Sequence, residues 1–109
     1  MKALSERKMK HSEVQSYFLK VFTDFTPKGT GVTSDRAMAK TLSLYEGAGR
    51  GADLASSKGT AYGLLNAVTE FVDHERRARS TDHRLDSAWF GQGASLKQKA
   101  LDQALLLAA

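Results

Sequence analysis

The stretch that most limits what this chain can become is residues 59–89, GTAYGLLNAVTEFVDHERRARSTDHRLDSAW. Ala61, Leu64, Leu65, Val68, Phe71 and Val72 follow one another at steps of three, one, three, three and one. That spacing draws a single apolar stripe along a helix of 3.6 residues per turn. VTEFVD taken alone could pass for a strand, but it lies inside the longer helical pattern. Burying each large member of the stripe contributes roughly 1.5–3 kcal/mol before conformational entropy is set against it. Directly behind the stripe come Arg76, Arg77, Arg79 and Arg84, set among Asp73, Glu75 and Asp82. One half of the stretch demands a core; the other gathers cations.

The remaining segments supply partners for that stripe. Ser12 reads as a helix cap with Gln15 as its capping-box partner. The helix behind it carries Val14, Tyr17, Phe18, Val21, Phe22 and Phe25 on one side. A break is expected from Asp24 to Gly31, where Pro27 and two glycines cannot continue a helix. Thr33 or Ser34 caps the next helix, with Asp35 at its positive end and Ala37, Met38, Thr41, Leu42 and Tyr45 inward. Gly47 reads as its C-terminal stop. EGAGRGADLASSKG then reads as a long loop of small residues. The main helix is expected from about residue 60 to residue 77. A short helix follows, capped by Ser80, Thr81 or Asp82 and running through Trp89 and Phe90, with Gly91 and Gly93 ending it. A last helix starts at Ser95 and turns Leu96, Ala100, Leu101, Ala104, Leu105 and Leu107 inward. Residues 1–11 read as a basic tail, mobile or briefly helical. With 109 residues, the expectation is one all-α domain of four or five helices spanning residues 1–109.

Composition excludes several function classes. The chain has no cysteine, so no disulfide and no thiolate chemistry. It has no apolar run long enough to span a membrane, and no apolar segment behind the N-terminal lysines of the kind a signal peptide needs. A protein of a reducing cytoplasm fits these features. Sixteen Lys and Arg against twelve Asp and Glu leave a formal charge of +4, a mild excess that suits an anionic partner without requiring one.

The chemical motifs fail on context. GAGRGA at residues 47–52 matches the letters of a dinucleotide fingerprint, but that motif needs a strand before it and a helix directly after. Lys58-Gly59-Thr60 has the residues of a phosphate loop in the wrong order. Free amides at the start of the main helix, with Lys58 and Arg50 near, could still hold a phosphate. His74-Glu75 lacks the second histidine four residues on, since position 78 is Ala78. His74 and His83, with Asp73, Glu75 and Asp82, would need an added turn to meet round a metal. No Gly-x-Ser-x-Gly elbow and no isolated carboxylate pair argue for catalysis. The reading is a non-enzyme with no catalytic residue, no metal and no cofactor. Its binding residues would be Arg76, Arg77, Arg79, Arg84, Lys58 and Arg50, because guanidinium forks suit phosphate and carboxylate. The competing structural reading is a solvated or internally salt-bridged face that offsets the negative end of the helix dipole. Trp89 and Phe90 read as core, or as a stacking platform if exposed beside the arginines.

The runs GTAYGLLNAVTEFVDH at residues 59–74 and DHRLDSAWFGQG at residues 82–93 resemble the C-terminal part of the phage/plasmid-like proteins, domain of unknown function 932. The resemblance extends back through DFTPKGTGVTSDRAMAKTLSLYEG and covers about four-fifths of the chain. It implies a freestanding or truncated tail of that family, with its own start at Met1, and it carries over no catalytic residue. Three functions follow as expectations. The first is a binding protein of a phage or plasmid element, acting on DNA, RNA or a nucleic-acid-bound host complex. The second is an inhibitor of a host defence of the CRISPR type, working by protein contact alone. The third is a structural remnant of a larger phage protein that pairs with itself through the apolar LLLAA end.

Overall fold

The computed structural model describes residues 7–26, 32–81 and 83–108, with the side chain of His83 excepted. It contains four α-helices: α1 (His11–Phe22), α2 (Ser34–Gly47), α3 (Ser57–Arg79) and α4 (His83–Ala108). A short 3-10 helix, Gly51–Ala55, joins α2 to α3. There is no strand among the described residues, and the all-α single domain expected from the periodicity is what forms. α3 and α4 make a long antiparallel hairpin. The shorter α1 and α2 close the bundle, α1 against α4 and α2 against α3.

The stripes bury as their spacing requires. Val14, Phe18, Val21 and Phe22 of α1 and Leu64, Ala67, Val68 and Phe71 of α3 are buried in one core cluster, where the Phe22 and Phe71 rings meet. Phe22, Phe25, Phe71 and Trp89 form a chain of edge-on ring pairs, with centroids 5.6–6.5 Å apart. That geometry suits the ring quadrupoles and adds roughly 0.5–1.5 kcal/mol per pair beyond burial. Trp89 also donates its indole N–H to the Val72 carbonyl at 2.9 Å, so its one polar atom is satisfied in the core.

Several local expectations change. α1 starts earlier than a Ser12 cap allows. Lys10 holds the extended N-cap position, and the Glu13 carboxylate, three residues on, accepts its backbone N–H at 3.1 Å. A carboxylate at the positive end of a helix outcompetes the neutral Gln15 for this role. Arg7 pairs with Glu13 at 2.8 Å and holds its carboxyl below the usual value. Thr33 does cap α2, accepting from the Arg36 N–H. α2 runs through Gly47, and it is Gly49 that takes the left-handed conformation, at φ 79°. At the end of α1 the left-handed residue is Asp24, at φ 60°. Pro27 and the glycines after it lie outside the described residues, as does Asp82.

Of the expected tail, residues 1–6 are outside the described residues. Arg7 to Met9 are docked. Met9 donates to Ala55 O at 2.8 Å, Ser57 donates to Arg7 O at 2.7 Å, and the Met9 side chain is buried.

The loop before α3 is no open loop. Leu54 is buried, and the 3-10 helix lies directly on the start of α3. Two glycines permit this: a Cβ on Gly59 would stand 1.6 Å from the Asp53 carbonyl oxygen, and one on Gly63 would stand 2.3 Å from Leu54 Cδ2.

The largest departure is α4. It runs 26 residues without a break, straight through Gly91 and Gly93. Gly93 faces α3, where a Cβ would lie 2.8 Å from Val72 Cγ1, so this glycine serves close packing of two helices. One unbroken helix also fixes which leucines face in. Trp89, Gly93, Leu96, Ala100, Ala104 and Leu107 share the buried line. Leu101 and Leu105, expected inward, each follow a buried residue by one position, about 100° round the helix. They are 39% and 61% exposed.

Candidate binding groove between α3 and α4

The four clustered arginines have separate fates. Arg79 sits on the inner phase of α3 and is only 4% exposed. Its Nη1 donates to the Glu75 carbonyl oxygen at 3.0 Å and to Glu75 Oε1 at 2.9 Å. The guanidinium carbon lies 4.3 Å from the centre of the Trp89 ring. Nε and Nη2 are buried with no hydrogen-bond acceptor, and the ring's π-face is the negative surface opposite them. Arg79 is therefore a core element, and its assignment to a binding surface is corrected. Lys40 of α2 reaches the other oxygen of Glu75 at 2.6 Å. Burial pushes the Glu75 carboxyl up, but Lys40 and Arg79 together outweigh burial and hold it below the usual value.

Arg76, three residues earlier, is 59% exposed in its side chain and stands 3.7 Å from the Asp86 carboxylate of α4. It lines a groove of about 160 Å³ with Asp73 of α3 and with Phe90, Ala94 and Lys97 of α4, over the edge of Trp89. Phe90 is 71% exposed there. Arg77 is exposed on the opposite flank of α3, in a recess with Leu44, Glu70 and His74. Arg84 is exposed in the first turn of α4.

Arg50 and Lys58 do not join this group. Lys58 is eighteen residues before Arg76 on the same helix, about 27 Å along its axis at 1.5 Å per residue. Arg50 is taken up locally: 2.6 Å from Glu70, 3.9 Å from Asp53, and over the Tyr45 ring at 4.7 Å. Arg50 and Lys58 do share an open cleft with Tyr62 and Asn66. Buried Tyr45 floors it, and burial raises its hydroxyl pKa. The amide cradle expected at the start of α3 is largely used up. Ser57 N–H goes to Arg7 O, Gly59 N–H to Ser56 Oγ and Thr60 N–H to Ser56 O.

For the metal reading, Asp82 and the His83 side chain lie outside the described residues. His74 lies 4.0 Å from Glu75, and no metal-holding group forms among the described residues. No helix among them is long and apolar enough to cross a membrane.

Sequence reasoning missed Lys97 and gave Phe90 two readings, core or exposed stacking platform; the ring is exposed. The signal was present: residues 90 and 97 are seven apart, two turns on one helix face. The supposed break at Gly91 and Gly93 concealed it.

Fold and groove together define a small four-helix domain whose longest hairpin carries an aromatic, cation-flanked groove on its outer side. The chain belongs to the family described as Domain of unknown function (DUF932), whose model matches residues 1–89. The match reaches the N-terminal residues and ends at Trp89, so it is not limited to the two runs that first suggested it. No curated protein and no solved structure matches the chain.

Proposed function

We propose that this protein is a non-enzymatic binding protein of a phage- or plasmid-type element, and that it engages nucleic acid, free or within a host nucleoprotein, at the α3–α4 groove. The observation that carries the reading is Phe90, largely exposed in the same groove as Arg76 and Lys97. An open aromatic face beside cations is what single-stranded nucleic acid uses: bases stack on the ring and phosphates meet the charges. Arg77 and Arg84 extend the cationic surface round the same end of the hairpin.

Fluorescence anisotropy with a labelled single strand over a salt series tests this. Log affinity falls linearly with log salt, and Arg76→Ala with Lys97→Ala flattens the slope by about 0.7 for each phosphate no longer neutralised. Phe90→Ala costs about 1–3 kcal/mol if one base stacks on it. Binding that ignores salt and all three substitutions removes the reading.

A protein-only contact with a host defence complex is the second reading. Asp73 and Asp86 beside Arg76 favour it, because mixed charge round an exposed aromatic also suits a protein hot spot. Affinity capture with and without nuclease separates the two: nuclease abolishes recovery under the first and leaves it intact under the second.

A further inference from the structure

The groove beside Phe90 holds both signs of charge. Arg76 and Lys97 line it together with Asp73, and the Asp86 carboxylate stands 3.7 Å from Arg76 Nε. Two carboxylates offset much of what two cations offer a phosphate. A surface made only to follow a nucleic-acid backbone has no use for them. A base edge does, because it presents donors and acceptors side by side. The Asp73 carboxylate and the Lys97 ammonium have no hydrogen-bond or ion-pair partner among the described residues. The space is also small. At about 160 Å³ it lies below the roughly 300 Å³ at which pockets for whole small molecules begin. It suits one planar base, with the rest of the ligand outside. Gly93 and Ala94 keep its floor low between Phe90 and Lys97 on α4.

We propose that the base stacked on Phe90 is guanine within a single strand, read by Asp73 and Arg76; this rests on the nucleic-acid reading of the same groove. Asp73 and Arg76 are about one turn apart on one side of α3, with Cβ atoms about 5–6 Å from each other. An ionised carboxylate only accepts hydrogen bonds, and a guanidinium only donates them. Guanine is the base with two adjacent donors, N1–H and N2–H, followed by two adjacent acceptors, O6 and N7. Adenine and cytosine offer the carboxylate a single amino group. Thymine and uracil offer it one ring N–H between two carbonyls. Only guanine therefore fills both oxygens of Asp73 while leaving acceptors for the neighbouring cation. Arg76 turns Nε to Asp86, which leaves its Nη groups for O6 and N7. Lys97, on the opposite helix of the groove, is placed for a flanking phosphate.

Anisotropy competition between short thymine strands tests this, each carrying one central guanine, adenine, cytosine or inosine. The guanine strand binds about tenfold more tightly than the all-thymine strand, within the range for a bidentate base contact. Inosine, which lacks the N2 amino group, loses most of that advantage. Asp73→Asn replaces one of the two acceptors by a donor at an exposed position. It brings the guanine strand down to the level of the thymine strand and leaves the thymine strand as tight or slightly tighter. A merely structural role for Asp73 would weaken all strands alike.

Equal affinity for every base, with binding still lost in Phe90→Ala, overturns guanine recognition and leaves the strand in the groove. A guanine preference that survives Asp73→Asn overturns it too. Failure of every strand to bind removes the groove reading itself, and this inference with it. Guanosine monophosphate that competes as well as the guanine strand gives the site to a free nucleotide and overturns the strand as its ligand.

Discussion

Arg76 and Arg79 are three residues apart on one helix, carry the same group, and belong to different parts of the molecule. Arg79 is enclosed by Glu75, Trp89 and the α3–α4 packing; Arg76 stands in a groove open to solvent. The difference is one of helix phase against the position of α4. Arg79 lies on the side of α3 that Trp89 covers. Arg76 lies on the flank, where α4 offers Phe90 and Lys97. A charge cluster in sequence is therefore no unit of function. Here one member stabilises the fold and another faces outward.

The sharpest break of that contrast is to remove the carboxylate that Arg79 shares with Lys40. Glu75→Leu leaves Arg79 charged and buried without its partner, and lowers unfolding free energy in urea by about 3–5 kcal/mol. Arg76→Ala, against a screened and exposed pair, changes it by less than about 0.5 kcal/mol. Equal losses for the two variants would dissolve the distinction.

The two α4 glycines give a smaller contrast of the same kind. Gly93→Ala pushes a methyl group into Val72 and costs about 1–3 kcal/mol. Gly91→Ala meets nothing within 4 Å and stabilises the helix by about 0.5–1 kcal/mol. Thermal unfolding of the two variants, side by side, reads the opposite signs directly.

The smallest effect is in pH. The Glu75 carboxyl is depressed below its ordinary 4.5 in the folded chain. The unfolded chain therefore takes up this proton first on acidification. The stability from Glu75 is complete above about pH 4.5 and is lost as pH falls through the lower folded value. Wild type has the steeper acid limb in urea titrations, and Glu75→Leu flattens it. Parallel limbs would mean that the buried pair does not titrate with folding.

Much of this was legible before any coordinates. The stripes of α1, α2 and α3 bury as their spacing requires, because an amphipathic period of 3.6 has one way to hide its apolar side. The Thr33 cap was legible for the same local reason, a hydroxyl beside an orphan amide. The α4 glycines were not. Glycine weakens a helix by about 1 kcal/mol, so two within three residues read as an end. Their survival depends on Val72, more than twenty positions away in sequence, pressing where a side chain would stand at Gly93. The glycines of GTAYG posed the same difficulty: nothing local says that Gly59 and Gly63 are small to admit Asp53 and Leu54.

Local periodicity and capping were enough for helix number, core stripes and the all-α class, since those rest on contacts within a few residues of each other. Which cation is sheltered, whether α4 is one rod or two, and which leucines stay wet depended on contacts between residues far apart in the chain. Those contacts set the direction each side chain faces, and a helix's own sequence does not specify what will be packed beside it.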